Sequence, residues 1–207
     1  ATAQLVDLRL AGVPQARSGL LMRREAVADL SALVAAAQQD GFRLEIRSAY
    51  RSYSQQSATF EKWVDFELTR AREYGQPILR AEAVRRAATY SAQPGQSEHQ
   101  TGLTIDLLPS GAPEIGFLIP DTLQTWLNAN AYKYGWVQSY PVKLSAGVLI
   151  TQQLTGYTSE PWHWRWQGHA AAQALYENGY LDPASLIVPP PLPARCDADH
   201  DPCQILP

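Results

Sequence analysis

Apolar residues recur at Val27, Leu30, Leu33, Val34 and Ala37, the spacing of one helix face, with Gly41 just beyond. Residues 22–39 are therefore predicted as an amphipathic helix that stops at the glycine. The period then changes. Phe42, Leu44 and Ile46 alternate with polar neighbours and predict a half-buried strand ending near Ser48. A turn at Tyr50-Arg51-Ser52 follows, and Ser52 and Gln55 stand at capping-box spacing. A helix should start there, run through Phe60, Trp63, Val64 and Leu68, and end at Gly75. Pro77 interrupts, residues 81–90 read as another helix, and Gln93-Pro94-Gly95-Gln96 reads as a loop. Alternation returns at Leu103, Ile105 and Leu107, with Thr104 and Asp106 on the opposite face. Residues 122–134 read as a helix stopped by Gly135, residues 136–140 and 147–151 as strands, and residues 168–177 as a last helix. Between them, Trp162, Trp164 and Trp166 alternate with His163 and Arg165. The three tryptophans are read as core packing rather than as a sugar platform. Helices and strands mix without a βαβ rhythm, so the predicted class is α+β.

That patterning leaves a carboxylate, Asp106, in the middle of an apolar strand. Burying it is costly unless it is paired or bound to a cation. His99 lies seven residues earlier, across Gly102, and His163 faces away from the tryptophans on its own strand. If the two strands are neighbours, His99, Asp106 and His163 converge as two nitrogens and one oxygen. Such a set suits zinc and leaves a tetrahedral ion one open position, as catalytic sites require. Glu160, three residues before His163, is the candidate general base. Its alternatives are a fourth ligand or a salt-bridge partner for Arg165. Zinc lowers the pKa of its water to about 7, and a nearby carboxylate can take that proton and pass it to a leaving amine. His169 and His200 lie in a helical stretch and an acidic tail and are set aside.

The bulk numbers narrow the partners. The chain has 207 residues with 45% hydrophobic content, enough for one domain with a tail. A net charge of −3 gives no case for nucleic acid or an anionic membrane surface. No apolar run approaches the roughly 20 residues of a spanning helix. Residues 1–182 are expected to form the domain, the first twenty or so as an arm, and residues 183–207 a proline-rich tail. Cys196 and Cys203 lie in that tail. They are expected to close a disulfide, which would imply an oxidising compartment; the alternative is two free thiols.

The pattern Ser97-x-His99-x-x-Gly102-x-x-x-Asp106 and the run Glu160-Pro161-Trp162-His163-Trp164-Arg165 resemble the zinc D-alanyl-D-alanine carboxypeptidases of the VanY kind. These belong with the lysostaphin, D-Ala-D-Ala metallopeptidase and hedgehog superfamily. The stretch Ser48-Ala49-Tyr50-Arg51-Ser52-Tyr53-Ser54-Gln55-Gln56 resembles the same family's Tyr-Arg-Ser…Gln element. The resemblance spans residues 21–179. It implies a small antiparallel sheet cradling zinc and flanked by helices. It places the metal ligands on His99, Asp106 and His163, the base on Glu160 and the active-site arginine on Arg51, with Gln55 and Ser97 near the bound peptide. Arg51 would bind a terminal carboxylate or an oxyanion through paired hydrogen bonds. Gln55, four residues on, would line the same wall. Two departures are Thr104, where the family usually has alanine, and Ser139, where relatives often carry arginine. The implied protein is an exported, monomeric zinc carboxypeptidase that removes terminal D-alanine from peptidoglycan stem peptides, at a D,D or an L,D bond. A cell-wall endopeptidase of the same superfamily and a non-catalytic peptidoglycan-binding module are the alternatives.

Overall fold

The computed structural model describes residues 4–112, 119–141, 144–145, 148–149 and 151–178. Cys196, Cys203 and the rest of the proline-rich tail lie outside the described residues.

The N-terminal segment runs along the core. Strand β1 (Leu5–Asp7) pairs antiparallel with β2 (Leu21–Arg23). The connection between them carries a 3-10 turn, Leu8–Ala11, in which the Arg9 amide donates to the Asp7 carboxylate. Leu8, Val13, Leu20 and Met22 are all buried in the main core. Met22 therefore belongs to a strand, and helix α1 (Arg24–Gln39) begins two residues later than its periodicity predicts. A single inward-facing residue fits either period, and the Arg24 amide, bonded to the Gln4 carbonyl, marks the change. Pro14 and Ala16 then exchange backbone hydrogen bonds with Ile46 and cover the edge of the sheet there.

Strand β3 (Leu44–Ser48) is followed by helix α2 (Tyr53–Glu73). Its start is the predicted capping box: Ser52 accepts from the Gln55 amide, and the Gln55 side chain accepts from the Ser52 amide. Helix α3 (Arg80–Ala87) packs on α2 through a small second core of Phe60, Val64, Ala83 and Ala87. It ends three residues before its predicted limit, because the Thr89 and Tyr90 amides bond three residues back rather than four.

A 3-10 turn, Glu98–Thr101, leads into β4 (Thr104–Pro109). Helix α4 (Asp121–Asn130) passes into a 3-10 turn, Ala131–Tyr134, so the predicted helix 122–134 is two elements. Strand β5 (Trp136–Gln138) follows, then the short strands β6 (Leu144–Ser145) and β7 (Val148–Leu149), and helix α5 (Thr151–Thr155). Strand β8 (His163–Trp166) and helix α6 (His169–Glu177) complete the described chain.

The central sheet has the order β3-β4-β8-β5, with all neighbours antiparallel. One face carries Ile46, Ile105, Leu107, Trp136 and Trp164 into the main core against α1 and α4. The other carries Thr104, Asp106, His163 and Arg165, each at most 6% exposed. This is the α+β class with the small antiparallel sheet and flanking helices that the sequence predicts.

Candidate metal centre

Three elements bring His99, Asp106 and His163 together. Asp106 and His163 are direct cross-strand partners in the β4–β8 pair, so both side chains leave the same face of the sheet. His99 comes from the 3-10 turn before β4. That turn closes at Gly102, whose φ of +71° lets the chain double back into the strand. A Cβ at Gly102 would also stand 2.9 Å from Cγ of Arg23, so β2 packs directly against the bend. One ligand atom from each of the three residues lies within 4.8 Å of the other two. The two imidazole rings stand perpendicular, with centroids 5.0 Å apart.

The orientation of each ring is set from behind. His99 Nδ1 lies 2.7 Å from the Ala49 carbonyl, which can only accept, so Nδ1 carries the proton and Nε2 is the free nitrogen. Nε2 sits 3.3 Å from Asp106 Oδ2. His163 is turned the other way: its Nε2 meets Glu98 at 2.9 Å, and its Nδ1 lies 3.3 Å from Asp106 Oδ1 and 3.4 Å from Glu160 Oε2. His99 Nε2 and Asp106 Oδ1 are fully buried and make no hydrogen bond. Buried polar atoms without a partner are rare, because leaving them so costs about 1–3 kcal/mol each. Two imidazole nitrogens and a carboxylate oxygen, converging with their inner atoms unsatisfied, fit a divalent cation such as zinc.

Glu160 stands beside this group without belonging to it. Its backbone is pinned by Tyr140, whose carbonyl accepts from the Glu160 amide, and by Gln138, whose side chain donates to the Glu160 carbonyl. Burial, helped by the charges of Asp106 and Glu98 and opposed by His163 and Arg51, pushes its carboxyl up to about 7. Asp106 is held well below the usual carboxylate range: burial works against this, but the two histidines outweigh it.

Arg51 enters from the turn before α2. Its Nη1 donates to Gln56 Oε1 at 2.8 Å, and its Nη2 lies 3.6 Å from Asp106 Oδ2. Burial lowers its pKa, against the pull of Asp106 and Glu160. Gln56 is itself anchored to the Ala92 carbonyl. Gln55 does not share this wall, because its side-chain oxygen is taken up by the capping box. The residue that meets Arg51 is its neighbour, Gln56. Ser97 is buried at the start of the 3-10 turn that carries His99.

Glu98 has no place in the sequence-based site, yet its carboxylate touches His163, Arg165 and Ser139. Arg165 is thus the partner of Glu98, not of Glu160. The one signal in the sequence is Arg165 itself, which alternation places on the face of His163 and which, once buried, needs a counter-charge. Trp164 is fully buried and Trp166 packs on the same core.

Comparison with known proteins gives the chain a family. The family profile VanY, D-alanyl-D-alanine carboxypeptidase, matches residues 19–169. The putative carboxypeptidase YodJ of Bacillus subtilis is 34% identical over 159 residues, covering 76% of this chain and 50% of the relative. The chain thus spans about half the length of the curated relatives it matches. Among solved structures, a mutant of the vancomycin resistance D,D-pentapeptidase VanY in complex with Zn(II) aligns with a TM-score of 0.66 at 28% identity, over 86% of this chain and 85% of that one. The LD-carboxypeptidase LdcB aligns with a TM-score of 0.60 at 30% identity, over 80% and 70% of the two chains. With a matched region that takes in every residue of the His99, Asp106 and His163 centre, this chain belongs to the VanY family of D-alanyl-D-alanine carboxypeptidases.

Proposed function

We propose that the chain is a zinc carboxypeptidase that releases terminal D-alanine from peptidoglycan stem peptides and acts outside the cytoplasm, as a monomer. The observation that carries this reading is the convergence of His99, Asp106 and His163 within 4.8 Å, with Glu160 Oε2 3.4 Å from His163 Nδ1 and Arg51 against Asp106.

In this reading His99 Nε2, an Asp106 carboxylate oxygen and His163 Nδ1 hold the ion. A zinc ion held there supplies a Lewis acid that polarises the scissile carbonyl and acidifies water. Glu160 takes the proton of the attacking water and returns it to the leaving amine of D-alanine. Burial raises this carboxyl above its ordinary range, which suits a group that must both take a proton and give it back. Arg51, held at Nη1 by Gln56, offers its remaining N–H groups to the substrate's terminal carboxylate or to the developing oxyanion. Ser97 lies close to the bound peptide. A D,D-pentapeptidase and an LD-carboxypeptidase share this fold at similar TM-scores, so both bonds are candidates. A related endopeptidase cut within the stem peptide would use the same residues.

The test is to incubate zinc-loaded protein with pentapeptide and tetrapeptide muropeptides and to measure free D-alanine by mass spectrometry. Release from either, lost on Glu160→Ala, is the expected result. No release from either substrate with zinc bound would overturn the proposal.

A further inference from the structure

Glu98 is one of the most enclosed charged groups in the described chain, 2% exposed, and it sits behind the metal-facing side of His163. Three donors from two other parts of the sheet meet its carboxylate. Oε2 accepts from His163 Nε2 at 2.9 Å and from the Ser139 hydroxyl at 2.5 Å; Oε1 accepts from Arg165 Nη1 at 2.9 Å. Ser139 follows β5, while His163 and Arg165 stand two apart on β8, on one face. Glu98 is also the residue before His99, so one 3-10 turn supplies both a ligand and the group behind the other histidine.

The chemistry of these contacts is directional. An ionised carboxylate has no proton to give, so the hydrogen bond to His163 requires the proton to be on Nε2. A neutral imidazole has only one N–H, and with that placed on Nε2 the lone pair must be on Nδ1, the nitrogen facing Asp106 and Glu160. Arg165 acts on the same choice from the far side. Its guanidinium occupies Oε1 and balances the buried charge, which keeps Glu98 an acceptor and leaves Oε2 to His163 and Ser139. The Ser139 hydroxyl on Oε2 further limits where that oxygen can sit, and with it the plane of the imidazole ring.

We infer that Glu98 is a positioning residue of the metal centre: it holds His163 as the Nε2–H tautomer, with Nδ1 aimed at the ion, and Arg165 keeps it in that role. The inference rests on the metal reading proposed above. A Glu98 that only joined β8 to the 3-10 turn would matter for folding and leave cation binding as it is. A Glu98 that sets a ligand's tautomer and angle must change the binding itself, as partners of metal-bound histidines do, by about 10–100-fold in affinity.

The experiment compares wild type, Glu98→Gln and Glu98→Asp. Zinc affinity is measured by competition with a chromogenic chelator, and the ligand field is read from the visible absorption of the cobalt(II)-substituted proteins. Glu98→Gln is expected to weaken zinc by about 10–100-fold and to alter the cobalt spectrum, with Glu98→Asp recovering part of both. A Glu98→Gln protein with wild-type zinc affinity and an unchanged cobalt spectrum would overturn the inference, whatever its thermal stability. The amide removes the charge that Arg165 meets at Glu98, so that variant can fail to fold. The wild-type protein then decides alone: nitrogen-15 NMR of the zinc-loaded form should show His163 protonated on Nε2 and metal-bound through Nδ1. The reverse tautomer would overturn the inference. A wild-type protein that takes up no zinc would instead bring down the metal reading on which it stands.

Discussion

Asp106 and His163 occupy one register position of the β4–β8 pair, and that single pairing places two of the three candidate ligands side by side. Side chains of adjacent strand positions leave opposite faces, so a slip of one residue would send one of the two into the hydrophobic core. Ile105 opposite Trp164, one step along, resists the slip, because both are fully buried on the other face.

The roles of base and ligand separate under mutation. Glu160→Gln should retain zinc at wild-type stoichiometry while kcat falls by about 10²–10⁴-fold. His163→Ala should lose both the metal and the activity. Metal content by mass spectrometry, alongside turnover, checks the pair; equal zinc in the two variants would contradict the assignment.

Arg51→Lys should be far from conservative. A lysine keeps the charge but cannot offer a planar pair of N–H groups to a carboxylate. The expected loss in kcat/KM is about 10²–10³-fold. Gln56→Ala, which frees Nη1 of Arg51, should show a smaller loss, mainly in KM. Steady-state kinetics on one peptide substrate measures both, and a Gln55→Ala variant serves as the contrast, since its side chain caps α2 instead.

The N-terminal segment contributes to the main core, and Leu8 tests it. Its side chain is completely buried. Leu8→Ala should cost about 2–5 kcal/mol of unfolding free energy. Denaturant titration would show a lowered midpoint; an unchanged midpoint would mean the segment is a detachable arm.

Tyr90 gives a pH signature away from the metal. Its hydroxyl donates to Glu67 Oε1 at 2.9 Å, and Glu67 is 1% exposed and paired with Arg70. Burial, then the hydrogen bond and charge of Glu67, push the phenol well above its ordinary value of 10. The fold thus holds the proton more tightly than the unfolded chain does. The resulting stabilisation is complete below pH 10 and is lost as the pH climbs above it. Tyr90→Phe should therefore be less stable than wild type by about 1 kcal/mol at pH 9. The gap should close as the pH rises. Urea unfolding of both proteins at pH 9 and 12 checks this, and a gap that stays constant would argue against it.

Much of the site could be read from residue order because its parts are local signals. The capping box at Ser52 and Gln55, the glycine after the His99 turn, and the alternation through Asp106 and His163 each depend on a few neighbouring residues. The mistakes fall where two local readings compete. Met22 satisfies the helix and the strand period alike, and only pairing with Val6 makes it a strand residue. Gln55 and Gln56 are both available to Arg51 by spacing. The cap takes the side chain of the first, and the helix turns the second towards the site.

Residue order by itself determined which side chains leave each strand on the polar face, that α1 and α2 stop just before Gly41 and Gly75, and which residue types could hold a divalent ion. Alternation and glycine stereochemistry act over one to four residues and need nothing else. Tertiary structure alone decided that β4 lies against β8, that Arg165 meets Glu98 rather than Glu160, and which nitrogen of each histidine points inwards. Those outcomes depend on hydrogen-bond acceptors up to 67 positions away in the chain, and no local pattern carries that distance.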